Sequence, residues 1–501
     1  MASNGCNGNG NGKAAPAGVV VPEIKFTKLF INGEFVDAAS GKTFDTRDPR
    51  TGDVLAHVAE ADKADVDLAV KSARDAFEHG KWPRMSGYER GRIMSKLADL
   101  VEQHTEELAA LDGADAGKLL LLGKIIDIPA ATQMLRYYAG AADKIHGDVL
   151  RVSGRYQGYT LKEPIGVVGV IIPWNFPTMM FFLKVSPALA AGCTVVVKPA
   201  EQTPLSALYY AHLAKMAGVP DGVINVVPGF GPTAGAALAS HMDVDSVAFT
   251  GSTEVGRLIM ESAARSNLKT VSLELGGKSP LIIFDDADVD MAVNLSRLAV
   301  FFNKGEVCVA GSRVYVQEGI YDEFVKKAGV AVGARRHRVG DLLLRHRPGR
   351  AVRQVQDERL RPGPGAGSHG QVPAGQERHH RAPGLAMGPM EPHRSLLVQC
   401  TCVMRACSHS WTVDEVIEKA NCTRYGLAAG IVTKSLDVAN RVSRSVRAGT
   451  VWVNCYFAFD PDAPFGGYKM SGFGRDQGLA AMDKYLQVKS VITALPDSPW
   501  Y

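Results

Sequence analysis

Five short apolar runs between residues 166 and 273 constrain the fold of this chain more than any other feature. The runs are 166–172 (GVVGVII), 194–198 (TVVVK), 223–227 (VINVV), 246–249 (SVAF) and 270–273 (TVSL). The first is apolar without interruption, which is typical of a strand buried on both faces. Segments long enough for a helix, such as 204–217 and 253–264, separate the runs. This alternation predicts a parallel α/β sheet with right-handed crossover connections.

Unusual residues gather where these predicted strands end. Trp174 and Asn175 follow the first run, Lys198 and Glu201 lie at the end of the second, and glycines follow the third and fourth. Ligands of parallel sheets bind at the carboxyl ends of the strands, so we expect a binding site here. The glycines at 229, 231 and 235 space as GxGxxxG and not as the dinucleotide fingerprint GxGxxG. Taken alone, they fit a plain glycine-bearing turn equally well.

Two stretches further along carry residues suited to chemistry. Residues 270–280 (TVSLELGGKSP) hold Glu274, and residues 301–312 (FFNKGEVCVAGS) hold Cys308. A lone Glu at a strand end is usually a surface or N-cap residue, but a carboxylate and a cysteine also suit a base and a nucleophile. LELGGKSP and FFNKGEVC resemble the two active-site signatures of the aldehyde dehydrogenases. The spacing of 34 positions from Glu274 to Cys308 also matches that family.

The resemblance implies an aldehyde dehydrogenase-like α/β fold. It consists of a Rossmann-type NAD-binding domain, an α/β catalytic domain and a small β extension that joins subunits. The family's nucleotide fold is a variant that uses the glycine spacing found here. The predicted ranges are 22–146 and 165–276 for the NAD-binding domain, 277–475 for the catalytic domain, and 147–164 and 484–501 for the extension. By likeness only, the protein is expected to be a homodimer or a homotetramer.

The resemblance also implies the reaction, which is NAD-dependent oxidation of an aldehyde to a carboxylic acid. The Cys308 thiolate would add to the carbonyl, giving a thiohemiacetal that loses hydride and becomes a thioester. Asn175 would stabilise the oxyanion, helped by the backbone N–H of Cys308. Glu274 would take a proton from the water that hydrolyses the thioester. An Asn in an ordinary exposed turn is the alternative interpretation of Asn175.

Further residues are assigned by the same likeness. Trp174, Lys198 and Glu201 resemble the family's contacts to adenosine and ribose, and a carboxylate at 201 favours NAD over NADP by repelling a 2′-phosphate. The full predicted cofactor set is Ile172, Pro173, Trp174, Lys198, Glu201, Gly231, Thr250, Gly251, Ser252 and Gly256. Phe176, Met180, Phe459 and Phe465 are predicted to line an aromatic substrate tunnel, with ordinary core as the alternative.

Composition limits the partners and the location. The net charge of +4 does not imply a nucleic-acid or membrane partner, and no apolar run of about 18 residues predicts a membrane helix. Eight scattered cysteines are not a disulfide framework, and no metal site is predicted. Residues 1–21 are predicted to be a disordered tail, and they resemble no targeting peptide, so a cytoplasmic location is expected. The chain resembles the cytosolic plant members that oxidise hydroxycinnamaldehydes.

One stretch, 333–410, departs from the family. From Ala328 to Glu418 there is no Lys, Asn, Phe or Tyr, and Arg, Pro, Gly, Ala and His dominate. No helical or strand periodicity survives there. A disordered insertion is one interpretation, and a shifted reading frame, a splicing error or a gene-model error is another. The family's Glu-x-Phe-Gly-Pro, whose Glu binds the nicotinamide ribose, is expected where this chain reads LLVQCTCVMR. The alternative function is therefore a dead or impaired relative, with weak NAD binding and early tryptic cuts in this stretch.

Other patterns predict local structure. Residues 29–35 indicate a hairpin that turns at Asn32-Gly33. Helical spacing runs through 65–77 and continues through 89–111, which predicts helical structure in both ranges. Near the C-terminus, 412–420 is predicted to be a helix, 427–432 and 450–454 are predicted to be strands, and 490–494 a late strand.

Overall fold

A computed structural model describes residues 22–333, 407–408 and 411–495. The predicted tail 1–21 and almost all of the departing stretch 333–410 lie outside the described residues. The strands, in chain order, are β1 (Leu29–Ile31), β2 (Glu34–Val36), β3 (Thr43–Arg47), β4 (Val54–Ala59), β5 (Val149–Leu150), β6 (Tyr156–Pro164), β7 (Val167–Ile171), β8 (Thr194–Lys198), β9 (Ile224–Val226), β10 (Ser246–Gly251), β11 (Thr270–Leu275), β12 (Pro280–Ile283), β13 (Arg313–Val316), β14 (Cys407–Ser408), β15 (Ala428–Val432), β16 (Thr450–Val453), β17 (Gly472–Phe473) and β18 (Leu486–Ala494).

The helices connect these strands and cover the sheets. In chain order they are α1 (Lys63–Glu78), α2 (Gly87–Gln103), α3 (Thr105–Asp115), α4 (Leu120–Leu122), α5 (Ile128–Ala141), α6 (Pro177–Ala191), α7 (Leu205–Ala217), α8 (Ala236–Ser240), α9 (Thr253–Arg265), α10 (Val289–Phe301), α11 (Glu318–Gly333), α12 (Val413–Asn421) and α13 (Leu436–Ser445). Single π-helical turns lie at Gly123–Asp127 and Gly231–Gly235. Among the described residues, no helix combines the length and the apolar character that crossing a membrane requires.

The first sheet has eight strands in the order β17-β11-β10-β7-β8-β9-β1-β2, and its five central strands are parallel. This confirms the predicted parallel α/β sheet. Alternate residues of β7 pack into two different apolar cores. Val168 and Val170 pack with apolar residues of α2, α5, α6 and α7, while Val167 and Ile171 pack with those of α1, α8 and α9. Helices therefore cover both faces, which is why the strand is apolar at every position.

Two local predictions near the N-terminus had different outcomes. The hairpin of β1 and β2 turns at Asn32 and Gly33, whose φ angles are 52° and 79°, as predicted. The helical pattern over 89–111 is confirmed, but it forms two helices, because α2 ends at Gln103 and α3 begins at Thr105. At the junction, the His104 ring bonds the carbonyl of Leu100, and the Thr105 hydroxyl donates to that of Glu102. The Thr105 hydroxyl uses a carbonyl that a continuous helix would pair with the N–H of Glu106, whereas the Leu100 carbonyl keeps its helical bond to the N–H of His104 at 3.1 Å.

The second sheet lies in the C-terminal half, with the described strand order β14-β13-β12-β15-β16, all parallel. Its core joins Ile282 of β12 and Ile431 of β15 to Val416 of α12 and Val442 of α13. The predicted helix at 412–420 and the strands at 427–432 and 450–454 are confirmed within one or two residues at each end.

A third, antiparallel sheet has the order β18-β6-β5. The predicted late strand is confirmed, and it is longer than predicted. All nine residues of β18 pair with β6, from Leu486 opposite Pro164 to Ala494 opposite Tyr156. The described strands β5, β6 and β18 fall in the two ranges predicted for the oligomerisation extension, and that role stays a prediction.

Candidate active site

Glu274 lies near the carboxyl end of β11, with Thr250 of β10 opposite it on one side and Gly472 of β17 on the other. Glu274 is 4% exposed, and neither of its carboxyl oxygens has a hydrogen-bond partner in the described residues. Burial, with the nearby Asp476 carboxylate, raises the pKa of Glu274 well above its usual range. Burial thus favours the protonated form of this carboxyl group, and Glu274 is buried, unlike the usual surface Glu at a strand end.

A buried ion pair network lies beside Glu274. Lys184 of α6 and Lys484 contact opposite oxygens of Asp476, with Nζ–Oδ2 and Nζ–Oδ1 distances of 2.7 Å and 2.5 Å. Burial alone would raise the pKa of Asp476, but the two lysines outweigh burial and lower it. Lys184 was not predicted from sequence. Its signal was a charged residue within the apolar run MMFFLKVS, because a buried lysine needs a partner.

Cys308 follows a loop of unusual backbone shape. After α10, Asn303, Lys304 and Gly305 have φ angles of 46°, 64° and 81°, a conformation that non-glycine residues seldom adopt. Side chains hold this loop in place. The Asn303 amide donates to the backbone carbonyl of Asn175 at 3.1 Å, and Lys304 Nζ donates to that of Ala116 at 3.1 Å. We name residues 302–308 the nucleophile loop.

The end of β11 and the nucleophile loop pack against each other. A Cβ atom at Gly277 would lie 2.9 Å from the backbone oxygen of Cys308, so glycine permits this approach. The side chain of Cys308 is half-buried. Burial, together with the Glu274 carboxylate, raises the pKa of the Cys308 thiol to about 12, while the backbone N–H groups of Val309 and Cys308 lower it. The resting thiol is therefore protonated.

Asn175 lies against the same loop. Its Nδ2 atom donates to the backbone carbonyl of Glu306 at 2.8 Å, two residues before Cys308. Its backbone carbonyl in turn accepts the bond from Asn303. These two bonds fix Asn175 and the nucleophile loop relative to each other. The structure thus brings together the three residues that were predicted to be catalytic, Cys308, Glu274 and Asn175.

Aromatic side chains form a continuous path beside the loop. Ring centroids are 6.2 Å apart for Phe176 and Phe302, 5.0 Å for Phe302 and Phe457, 6.3 Å for Phe457 and Phe459, and 5.5 Å for Phe459 and Phe465. Three of the four predicted tunnel residues belong to this path. Met180, the fourth, is half-buried and packs against the first core. Phe302 and Phe457 complete the path and were not predicted, although Phe302 lies in the quoted motif FFNKGEVC.

Lys118 is a further residue at this site that sequence reasoning missed. Its Nζ atom lies 3.8 Å from the centre of the Phe176 ring and 2.5 Å from Asp127 Oδ2. Both charged side chains are 2% exposed. Burial raises the pKa of Asp127 to about 6, although Lys118 opposes that shift. A buried lysine over an aromatic face gives a cation–π contact.

The predicted cofactor residues lie at the carboxyl ends of neighbouring strands of the first sheet. Ile172, Pro173 and Trp174 follow β7, Lys198 ends β8, and Gly251 ends β10. Lys198 Nζ donates to the Pro199 carbonyl at 2.8 Å and lies 3.5 Å from Glu201 Oε2. Strands β10, β7 and β8 are adjacent, so these groups face one edge of the sheet.

Several features of that edge fit a nucleotide. An added Cβ at Gly231 would meet nothing within 4 Å, so its backbone is open to a ligand. The hydroxyl of Thr250 is buried without a hydrogen-bond partner in the described residues. Ser252 caps α9, its Oγ accepting from the N–H of Val255. Packing explains the glycine at 256, because a Cβ there would lie 2.8 Å from the Leu275 side chain.

Comparison with known proteins assigns the class. The chain belongs to the aldehyde dehydrogenase family, whose model matches residues 35–362 and 401–491. The predicted departure over 333–410 is therefore too wide, because 333–362 and 401–410 fall within the match and 363–400 lie outside it.

Individual relatives cover nearly the whole chain. It is 57% identical to aldehyde dehydrogenase family 2 member C4 of Arabidopsis thaliana, over 98% of this chain and 99% of that one. It is 54% identical to aldehyde dehydrogenase 1 of Tanacetum cinerariifolium, over 99% of this chain and 100% of that one. The NAD+ complex of an aldehyde dehydrogenase from Bacillus cereus is 40% identical, covers 94% of this chain and 97% of its own, and has a TM-score of 0.80.

Proposed function

We propose that the protein oxidises an aldehyde to a carboxylic acid through a thiohemiacetal and a thioester on Cys308. One observation carries this proposal. Two hydrogen bonds hold Asn175 and the nucleophile loop together, and the buried Glu274 acts electrostatically on Cys308. The protein is an NAD-dependent aldehyde dehydrogenase, and NAD, when bound, accepts the hydride that the substrate carbon loses.

Each catalytic side chain has one task in this proposal. The Cys308 thiol loses its proton to solvent, its sulfur forms a bond to the aldehyde carbon, and the carbonyl oxygen becomes an oxyanion. Asn175 Nδ2 carries a second N–H besides the one directed at Glu306, and it stabilises that oxyanion together with the N–H of Cys308. After hydride loss, a water attacks the thioester, Glu274 accepts its proton, and the carbon–sulfur bond breaks. The acid leaves, and the thiol is regenerated.

Glu274 must first lose the proton that its buried site retains. Lys184 and Lys484 supply positive charge beside it and lower its pKa, in opposition to burial and Asp476. We therefore expect turnover to rise with pH, because the ionised fraction of Glu274 rises.

The aromatic path supports a flat, conjugated aldehyde as the substrate. Rings from Phe176 to Phe465 offer faces and edges on which a phenyl ring can stack. We propose hydroxycinnamaldehydes, such as coniferaldehyde and sinapaldehyde. The test compares kcat/KM for coniferaldehyde with that for hexanal, and a clear preference for hexanal would contradict the proposal.

The experiment that tests the main proposal is a spectrophotometric NADH assay of the purified protein and two variants. Cys308→Ala should abolish aldehyde-dependent NADH formation. Cys455→Ala, at another half-buried free cysteine, is the matched control and should retain it. Full turnover by Cys308→Ala would overturn the assignment of the nucleophile.

A second candidate function is an impaired relative that keeps the fold and binds NAD weakly. The observation that favours it is in the sequence, where 363–400 lies outside the family match and the expected ribose-binding Glu is absent. Absence of NADH formation by the unsubstituted protein, with folded protein confirmed by circular dichroism, would support this candidate. A cytoplasmic location and a homo-oligomer stay predictions of the sequence.

A further inference from the structure

Tyr456 lies three residues after β16 and reaches the residue that follows the nucleophile. It is 5% exposed, and its hydroxyl donates to the backbone carbonyl of Val309 at 2.7 Å. This bond joins the second sheet to the segment that leaves Cys308. The role of Tyr456 therefore follows from what the Val309 carbonyl is attached to.

The ring of Tyr456 has no freedom to move away from Val309. A Cβ at Gly430 would lie 2.7 Å from ring atom Cε2, and one at Gly311 would lie 3.5 Å from the hydroxyl. Trp452 and Phe457 pack on the ring, with centroid distances of 4.7 Å and 4.9 Å. Two glycines and two aromatic rings therefore hold the phenol oxygen beside the Val309 carbonyl.

The acceptor is attached directly to the nucleophile. Val309 follows Cys308, and its backbone N–H lowers the pKa of the Cys308 thiol. A hydrogen bond to the Val309 carbonyl restricts the backbone that leaves Cys308. We infer that Tyr456 is a positioning residue, which holds the backbone on the C-terminal side of Cys308 in place through the O–H···O=C bond to Val309. The inference rests on Cys308 being the nucleophile.

Other ionisable groups act on the same sulfur and must be held constant. Glu274, on β11, and Asp476 both raise the pKa of the Cys308 thiol. Tyr456 itself stays neutral, because burial raises its pKa above its usual range. Replacement of Tyr456 by Phe removes no charge, so any change in the acidity of Cys308 comes from geometry.

The test measures the alkylation of Cys308 by iodoacetamide as a function of pH, with mass spectrometry of the Cys308 peptide. The thiolate forms a carbon–sulfur bond, iodide leaves, and the thiol proton goes to solvent. Tyr456→Phe should slow this reaction roughly fivefold at a fixed pH and move its midpoint to higher pH, since a lost hydrogen bond is worth about that factor. Tyr138→Phe is the matched control, because Tyr138 is also buried and donates to a backbone carbonyl, that of Gly478, at 2.9 Å.

A second variant guards against simple loss of folding. Gly430→Ala leaves the phenol in place but presses on its ring, so it should shift the alkylation profile in the same direction. An unchanged profile in a folded Tyr456→Phe protein would overturn the inference, as would an equal shift in Tyr138→Phe. Because alkylation needs no turnover, this result is separate from the Cys308→Ala assay. Turnover in Cys308→Ala would remove the proposed nucleophile, whereas the alkylation profile alone decides the role of Tyr456.

Discussion

At the scale of single residues, Glu274 shows how burial sets a pH dependence. Its pKa is raised in the folded protein, so the native state keeps a proton that the unfolded chain loses above about pH 4.5. The corresponding stability is present below that pH and is lost as the pH rises through the folded pKa. Each unit by which the folded pKa is raised costs about 1.4 kcal/mol at high pH.

Glu274→Gln should therefore become more stable than the unsubstituted protein as the pH increases from about 5 to 9. The amide is neutral at every pH and has almost the shape of the protonated carboxyl group. Urea unfolding at several pH values measures the difference, and Glu261→Gln, at an exposed glutamate, controls for the loss of one carboxylate. A difference that stays constant or shrinks with pH would show that Glu274 is ionised in the resting protein.

The preference for NAD is also a prediction at the scale of one side chain. Glu201 is half-buried close to Lys198, so its carboxylate is available to a ribose and would repel a 2′-phosphate. Glu201→Gln should tighten NADP binding about tenfold, or ~1.4 kcal/mol, and change NAD binding less. Calorimetric titration with both nucleotides tests this without turnover. Glu254→Gln, on the exposed surface of α9, is the charge control. Equal affinity of the unsubstituted protein for both nucleotides would remove Glu201 from cofactor selection.

At the scale of elements, the structure shows the backbone shape of the nucleophile loop, which the sequence did not predict. Asn303 has a φ angle of 46° and donates to the Asn175 carbonyl. Asn303→Ala should lose both the hydrogen bond and the tolerance of this backbone, at a cost of about 1–3 kcal/mol. Asn303→Gly loses the bond but relieves the strain, so it should be less destabilised by roughly 1 kcal/mol. Denaturant unfolding of both variants is the measurement. If glycine and alanine cost the same, the loop does not need the left-handed conformation.

Periodicity explains why some elements were predictable and others were not. The strands β7, β8 and β10 were predicted within two residues at each end because their apolar runs are buried on both faces. Cys308 and Glu274 were found from motifs, which carry chemistry in the residues themselves. Lys184, Lys118 and Tyr456 were not found, because each gains its meaning from a distant partner. Lys184 and Asp476 are 292 positions apart, and no local pattern encodes that contact.

The break between α2 and α3 was not predicted, for a related reason. The apolar spacing continues through 89–111, so the periodic signal does not register the junction. The Thr105 side chain bonds the Glu102 carbonyl, which the spacing assigns to the helix. Side-chain competition of this kind depends on rotamers, which a hydrophobic pattern does not specify.

At the scale of the whole molecule, the three-stranded sheet bears on how copies of the chain associate. Val488 and Ile492 lie on one face of β18 and are 66% and 59% exposed, and Val149 of β5 is 86% exposed. Val488 is opposite Lys162, and Val149 is opposite Tyr159. Lys162 and Tyr159 are three positions apart on β6 and therefore point to opposite faces, so the exposed apolar groups occupy both faces of the sheet. A small sheet with both apolar faces in water is marginal by itself, and burial against a second copy would stabilise it.

We therefore predict that the double substitution Val488→Asp and Ile492→Asp shifts the protein from a dimer or tetramer towards the monomer. Two carboxylates on that face would have to be buried unpaired in the interface, which costs several kcal/mol. Light scattering after size exclusion measures the mass, and Leu68→Asp, at an exposed position of α1, is the control that should leave it unchanged. A monomeric unsubstituted protein would contradict the predicted assembly. If the double variant keeps the mass of the oligomer, the interface does not include this face of β18. Two aspartates buried in an apolar contact would weaken association.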